Sequence, residues 1–360
     1  MFGVDRLTVR GFKSIRAIEE FELGSLNVLI GQNGAGKSNF MDLFQLLGNL
    51  AEQRLQVFVA ERDGPDALLF GGRKQTDSID IQCYFGRDAY FCSLTPVGRH
   101  LVFLRELTHA QGSVTNSLGS GQYESNLKQA EAGDVDMAAH SLLEAMSGWR
   151  VFHFHDTGMA ARIRQAQAVR DNLRFKPNGS NLAPFLRHLR ERHPNRYRQI
   201  IEAIRLVAPF FGDFVYRRDA DEQVELEWFG PDDSGTVLGP RQLSDGTLRF
   251  ICLATLLLQP VELQPEPILI DEPELGLHPF ALTLLAELLK NASDARQVIV
   301  STQSADLVSE FDPQDVVVVD RKEDESTFKR LDKNDLSDWL KDYALGELWR
   351  MNILGGRPTR

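Results

Sequence analysis

Apolar positions along the chain follow two rhythms. SLNVLI at residues 25–30 is a β-branched and leucine-rich run of the kind a buried strand needs, and LTVRGFKSI before it reads as another strand. SNFMDLFQLLGNL, from Ser38, instead repeats apolar residues at helical spacing, which predicts a helix with Gly48 as its stop. Residues 26–50 therefore read strand, loop, helix.

Beyond this unit, SIDIQCYF and YFCSLTPVGRHLVFLREL carry apolar residues at strand period and predict an antiparallel region outside the main sheet. Residues 108–135, rich in Gly, Ser, Asn and Gln, read as a loop or a poorly ordered excursion, and WRVFHFHD as one more strand. From about 160 to 210 the period becomes helical. In NRYRQIIEAIRLV, Tyr197, Ile200, Ile201, Ile204 and Val207 share a face, with Arg198, Glu202 and Arg205 off it; Tyr197 and Phe210 are read as core. QVELEWF is a strand candidate.

The last third alternates. PILIDEP is a buried strand ending in carboxylates, FALTLLAELLK a helix with Pro279 in its first turn, RQVIVSTQS and DVVVVD strands, and KDYALGELWRMNILGG a helix plus tail. Strands alternating with helices imply a parallel sheet with helices packed on it. The expected fold class is α/β: a mainly parallel sheet, an antiparallel β subdomain and an inserted helical lobe. The division this implies is 1–150 and 266–360 as two halves of a nucleotide-binding lobe, with 151–265 as the helical lobe between them.

The chemistry lies at the joints. Gly31, Gly36, Lys37 and Ser38 satisfy G-x-x-x-x-G-K-[ST] between the predicted strand and helix, the context that defines a P-loop. Its glycines let backbone N–H groups wrap phosphates, Lys37 reaches the β/γ oxygens, and the Ser38 hydroxyl can ligate Mg²⁺. The nucleotide-binding set across this loop is Gly31, Asn33, Gly34, Gly36, Lys37, Ser38 and Asn39. After the run Ile268–Leu269–Ile270, Asp271 can enter the Mg²⁺ shell and Glu272 can polarise an attacking water. ATP and Mg²⁺ are the expected ligands.

RQLSDGTLRF sets Ser244 and Gly246 at the mouth of a helix, where unpaired N–H groups favour an anion. Ser244 lies 206 residues beyond Ser38. One nucleotide reaches both the P-loop and this second lobe only if the lobe folds over it, or if two chains pair head to tail.

LSDGT resembles the signature motif of ABC-type ATPases, and together with GQNGAGKS and LIDEPELGLHP the chain resembles the SMC/RecF-like branch, close to small bacterial AAA/OLD-type ATPases. GFKSI, DALLFGGRK and LGELWRMNILGGRP extend the resemblance over nearly the whole chain. It implies an ABC-ATPase head of P-loop NTPase fold, with Asp271 as the Walker B acid and Glu272 as general base. It further implies that Glu274 to His278 lie in the D-loop at a dimer interface and that Ser244 and Gly246 act in trans in an ATP-dependent homodimer. Where many relatives carry a switch histidine, this chain has Gln303, which can hydrogen-bond a γ-phosphate but cannot carry a proton as imidazole does, so slow hydrolysis is expected. No Q-loop glutamine is evident; His155 and Asp156 are the stand-ins, against the plainer reading of His153 and His155 as exposed on one face of a strand.

Charge changes the picture once. The net charge is −11, yet residues 150–218 hold 14 Lys and Arg against 5 Asp and Glu, net +9, leaving −20 for the rest. That segment, with Arg187, Arg190 and Arg192 as its test positions, is either a phosphate-backbone contact for DNA or a solvated helical face. Phe250–Leu258, the longest apolar run, is far short of the roughly 18 residues that span a bilayer. With no secretory h-region and three cysteines without CxxC spacing, a cytoplasmic location with reduced thiols is expected.

Two functions follow. One is an ATP-driven switch or clamp in DNA repair, genome maintenance or anti-phage defence. The other is a low-turnover regulatory ATP-binding module that controls a separate effector such as a nuclease. A membrane-transporter ATPase is disfavoured by the antiparallel region and terminal tail.

Overall fold

The computed structural model describes residues 3–110, 114–133, 137–217, 222–232 and 235–356. Arg218 and the final Arg357–Pro358 of the terminal motif lie outside them. The chain forms two compact units, Met1–Val151 with Pro265–Leu269 and Arg296–Arg360, and Phe152–Gln264 with Ile270–Ala295.

The first unit opens with a hairpin. LTVRGFKSI, expected as one strand, is β1 (Arg6–Phe12), a turn, and the start of β2 (Ile15–Glu22), because Lys13 takes the left-handed φ of 52° and reverses the chain. Next come β3 (Leu26–Ile30), α1 (Lys37–Ala51) and α2 (Leu55–Glu61). α1 does not stop at Gly48. A Cβ there would lie 2.7 Å from the Trp149 carbonyl oxygen, so the glycine is kept for a close approach, at about 1 kcal/mol of helix propensity.

The antiparallel region is β4 (Ile79–Phe85), β5 (Asp88–Val97), β6 (His100–Ala110) and β7 (Val114–Gly119), which join the first hairpin in the order β2-β1-β4-β5-β6-β7. Residues 108–135 are thus not simply a loop: strand, then α3 (Leu127–Ala132), occupy much of the stretch. The buried Glu106 carboxylate, accepting from Tyr90, Gln122, Ser125 and the Asn126 N–H, holds the polar segment in place. α4 (Met137–Met146) leads to β8 (Val151–Phe152). WRVFHFHD pairs as a strand only there; beyond it His153 donates its N–H to Pro177 O.

The second unit holds β9 (Gln167–Ala168), the helices α5 (Leu182–Arg192) and α6 (Pro194–Val207), then β10 (Asp213–Val215), β11 (Gln223–Val224) and β12 (Glu227–Phe229). QVELEWF, expected as one strand, is split: β11 pairs with β9 and β12 with β10. α6 buries Tyr197, Ile200, Ile201 and Ile204 and exposes Arg198, Glu202 and Arg205, as its period requires. Phe210 is not core; it is 49% exposed, its ring against Trp228. α7 (Asp245–Leu258), β13 (Ile268–Asp271), of which Ile268 and Leu269 belong to the first unit, and α8 (Pro279–Ser293) follow.

The chain ends in the first unit with β14 (Val298–Thr302), α9 (Ala305–Val308), β15 (Val316–Lys322), β16 (Glu325–Arg330) and α10 (Leu345–Arg350). β14 and β15 flank β3 in parallel and β16 closes the edge antiparallel; the strand order is β16-β15-β3-β14-β13-β8. One core cluster unites Phe40, Phe44 and Leu47 of α1 with Val9 and Ile81 of the antiparallel sheet and Leu29, Ile299 and Val317 of the parallel one. That burial fixes α1, and with it the loop at its start. The fold is a mixed α/β P-loop architecture.

Candidate functional site

In the first unit the loop between β3 and α1 has the form of a phosphate cradle. Gly34 and Gly36 take φ of 77° and 116°, values that favour glycine, and Gly36 is the N-cap of α1. Lys37 is 5% exposed, and its Nζ donates to the carbonyls of Gly31 at 2.7 Å and Gln32 at 3.1 Å. The ammonium is thereby folded over its own loop, where a phosphate would replace carbonyl oxygens with charged ones. Asn33, Gly34 and Ser38 are exposed, with Ser38 in the first turn of α1. First-turn N–H groups have no intrahelical partners, so this end attracts an anion. These residues fit a triphosphate, and the Ser38 hydroxyl is of a type that ligates Mg²⁺.

The backing of the cradle was not legible as a motif. Asn39 Nδ2 donates to Ser14 Oγ at 2.6 Å, the Ser14 and Ser326 hydroxyls are 2.7 Å apart, and Ser326 Oγ donates to Ala35 O. A hydroxyl has one proton, so the relay that satisfies every group runs Asn39, Ser14, Ser326, Ala35. A Cβ on Gly36 would lie 2.1 Å from Ser326 Oγ, and one on Gly31 would lie 2.2 Å from Val319 O. Both glycines admit the β15–β16 hairpin. Gln303 leaves β14 beside the loop, since Thr302 pairs with Ile30 and the next residues are Gln303 and Gly31. It is half-buried.

In the second unit Ser244 caps α7: its Oγ accepts the Thr247 N–H at 3.1 Å, and the side chain itself is exposed. A Cβ on Gly246 would lie 2.2 Å from Gly276 O. The signature helix start therefore touches the 274–278 loop backbone to backbone. Asp271 ends β13 half-buried, and Glu272, also half-buried, takes φ of 48°, strained for a side-chain-bearing residue, before Pro273. That kink turns the chain immediately after the two carboxylates. The buried Arg164 donates to Thr157 O at 2.7 Å, to Pro240 O, to Leu243 O at 3.0 Å and to Asp245 Oδ1 at 2.7 Å, pinning the approach to α7. Arg164 is one arginine among many in its stretch, and nothing in the sequence marks it out.

His153 and His155 are both exposed with ring centroids 5.9 Å apart, Asp156 is exposed, and no group of three metal-ligating side chains occurs among the described residues. The arginine segment is mixed. Arg187 pairs with Glu191 at 3.0 Å, and Arg190 donates to Phe214 O and stands over the Tyr197 and Tyr216 rings, whereas Arg192, Arg196 and Arg198 are exposed. Cys83, Cys92 and Cys252 are free and buried, and burial pushes the Cys83 thiol up to about 12. No described helix is long and apolar enough to cross a membrane.

Comparison with known proteins agrees with this geometry. The family described as "AAA domain, putative AbiEii toxin, Type IV TA system" matches residues 26–309. No curated protein matches the chain. Among solved structures, an SmcHead bound to the C-winged helix domain of ScpA superposes with a TM-score of 0.55 at 18% identity, covering 93% of this chain and 99% of that one. An Smc head domain with an extended coiled coil, bound to the C-terminal domain of ScpA and derived from Pyrococcus furiosus, gives 0.56 at 14% identity, with coverage of 94% and 99%. At these identities the likeness is one of fold. The chain belongs to this AAA domain family and has the fold of an SMC-type ATPase head.

Proposed function

We propose that the protein binds and slowly hydrolyses ATP, and that ATP closes a head-to-tail homodimer that acts as a switch or clamp. The observation that carries this reading is the division of labour between units: the phosphate cradle lies in one, the exposed Ser244 helix start in the other. Lys37 and the loop N–H groups would hold the β- and γ-phosphates, and Ser38 with Asp271 would hold Mg²⁺. The ion neutralises charge on the transferring phosphoryl group. Glu272 accepts a proton from the attacking water, while Ser244 and Gly246 of the second copy cap the γ-phosphate, contacts that exist only in the closed state and so supply the switching energy.

The load is DNA, met through Arg192, Arg196 and Arg198 on α5 and α6, whose side chains are exposed. Contacts of this kind need charge and no particular base sequence. The setting is genome maintenance or anti-phage defence, the latter supported by the family's toxin–antitoxin description. Gln303 favours a second reading, a low-turnover module that governs an effector such as a nuclease; it lacks the imidazole that relays a proton.

Sizing the protein with and without ATP, together with turnover with and without DNA, tests both. An ATP-dependent dimer with DNA-stimulated turnover supports the clamp, and tight ATP retention indifferent to DNA supports the regulatory module. A monomer at saturating ATP sinks the shared pocket. Glu272→Gln is expected to trap the nucleotide-bound dimer, and turnover intact in that variant rules out Glu272 as base. Reversing Arg192, Arg196 and Arg198 to Glu is expected to weaken DNA binding and flatten its salt dependence; unchanged affinity removes them as contacts.

A further inference from the structure

Arg249 lies one and a half turns into α7, half-buried, in a position no motif accounts for. Its guanidinium makes three hydrogen bonds, all to backbone carbonyls of other segments: Nε to Phe154 O at 3.0 Å, one terminal nitrogen to Leu275 O at 3.0 Å and the other to His155 O at 3.1 Å. The fixed planar fork of arginine can span such a set, and a lysine ammonium cannot. Gly276 makes room for it, since a Cβ there would lie 2.7 Å from the guanidinium; its φ of 70° suits glycine as well. Gly276 also receives Gly246 of the signature turn. Three segments thus meet at one side chain: the helix that begins at Ser244, the loop that follows Glu272, and residues 154–155.

We infer that Arg249 is a positioning residue for hydrolysis: it makes the Ser244 helix start and the loop after Glu272 move as one body. The inference rests on the ATPase reading above. A ligand engaging Ser244 shifts the first turn of α7. With Arg249 and the Gly246–Gly276 contact in place, the 275–276 backbone follows, and Glu272, three residues before Leu275 and already in a constrained φ, is carried to its working position. Without the guanidinium, engagement at Ser244 still occurs but is not felt at Glu272. Glycine contact alone gives one point of support, and a hinge remains.

The test separates this role from a general loss of structure. Arg249→Ala and Arg249→Lys are expected to keep affinity for a fluorescent ATP analogue within about threefold of the wild type and to lower kcat about 10²-fold, the scale of an approximately 1 Å misplacement of a catalytic group, with KM little changed. Gly276→Ala, which keeps the arginine but crowds its fork, is expected to give the same split. Amide hydrogen exchange provides a readout that does not need turnover. In the wild type, ATP protects residues 30–39 and alters exchange at 272–278; in Arg249→Ala the first response persists and the second is lost. Wild-type kcat in both arginine variants, or an ATP response at 272–278 that survives Arg249→Ala, overturns the inference. A fall in nucleotide affinity matching the fall in kcat, with early thermal unfolding in all three variants, also overturns it, because the residue is then merely structural. If ATP protects nothing at 30–39 in the wild type, it is the ATPase reading that fails.

Discussion

Gly246 and Gly276 meet so closely that a Cβ on the first would sit 2.2 Å from the carbonyl oxygen of the second. A backbone contact of this kind leaves no side chain to yield. Gly246→Ala should therefore destabilise the second unit by about 1–3 kcal/mol through overpacking. Urea unfolding of the variant measures it, and a midpoint equal to the wild type would mean the helix start and loop separate freely.

Lys37 holds two loop carbonyls and is the residue proposed to reach phosphate. Lys37→Ala is expected to weaken ATP binding about 10- to 100-fold, the worth of a charge-assisted contact, and to lower the melting temperature as well, because it takes a donor from the buried Gly31 carbonyl. Titration with a fluorescent ATP analogue, alongside a melt, checks both. Unchanged affinity would move the phosphates elsewhere.

Ser326 has no place in any nucleotide-binding motif, yet it ends the relay that holds Ala35 O. Ser326→Ala leaves Ser14 and Ala35 O short of a buried partner, at a cost of about 1–3 kcal/mol, and loosens the cradle. Both stability and nucleotide affinity should fall together. An effect on neither would show the hairpin to be a passive neighbour.

Cys83, Cys92 and Cys252 ionise later in the folded chain than in the unfolded one, because burial disfavours the thiolate. The folded thiol of Cys83 is raised from 9.0 to about 12, so the native state holds its proton longer. Its contribution to stability is full below pH 9 and is lost as pH rises from 9 towards 12. Urea midpoints should fall between about pH 9 and about pH 11, and Cys83→Ala should reduce that slope. In the native protein these thiols should resist a disulfide reagent until urea is added; rapid reaction would contradict their burial.

How much was legible varies with the range of the interaction. The strand, loop and helix around GQNGAGKS, the amphipathic α6 and the Ser244 cap depend on neighbours a few residues away, and period and motif reveal them. Gly48 misleads because its reason, Trp149, lies about a hundred residues on. QVELEWF misleads because the partners of its two halves, β9 and β10, are different strands. Arg187 and Arg190 read as part of a basic face, but internal partners engage them.

The sequence by itself determined that this chain carries a glycine-rich loop between a strand and a helix, a pair of carboxylates at a strand end and a serine-capped helix, since each is a local arrangement of backbone and side chain. Only tertiary structure decided what holds them: the Ser14–Ser326 relay behind the cradle, and Arg249 joining the signature helix to the loop after Glu272. Those partners are far apart along the chain and are chosen by packing, which leaves no periodic trace in the sequence.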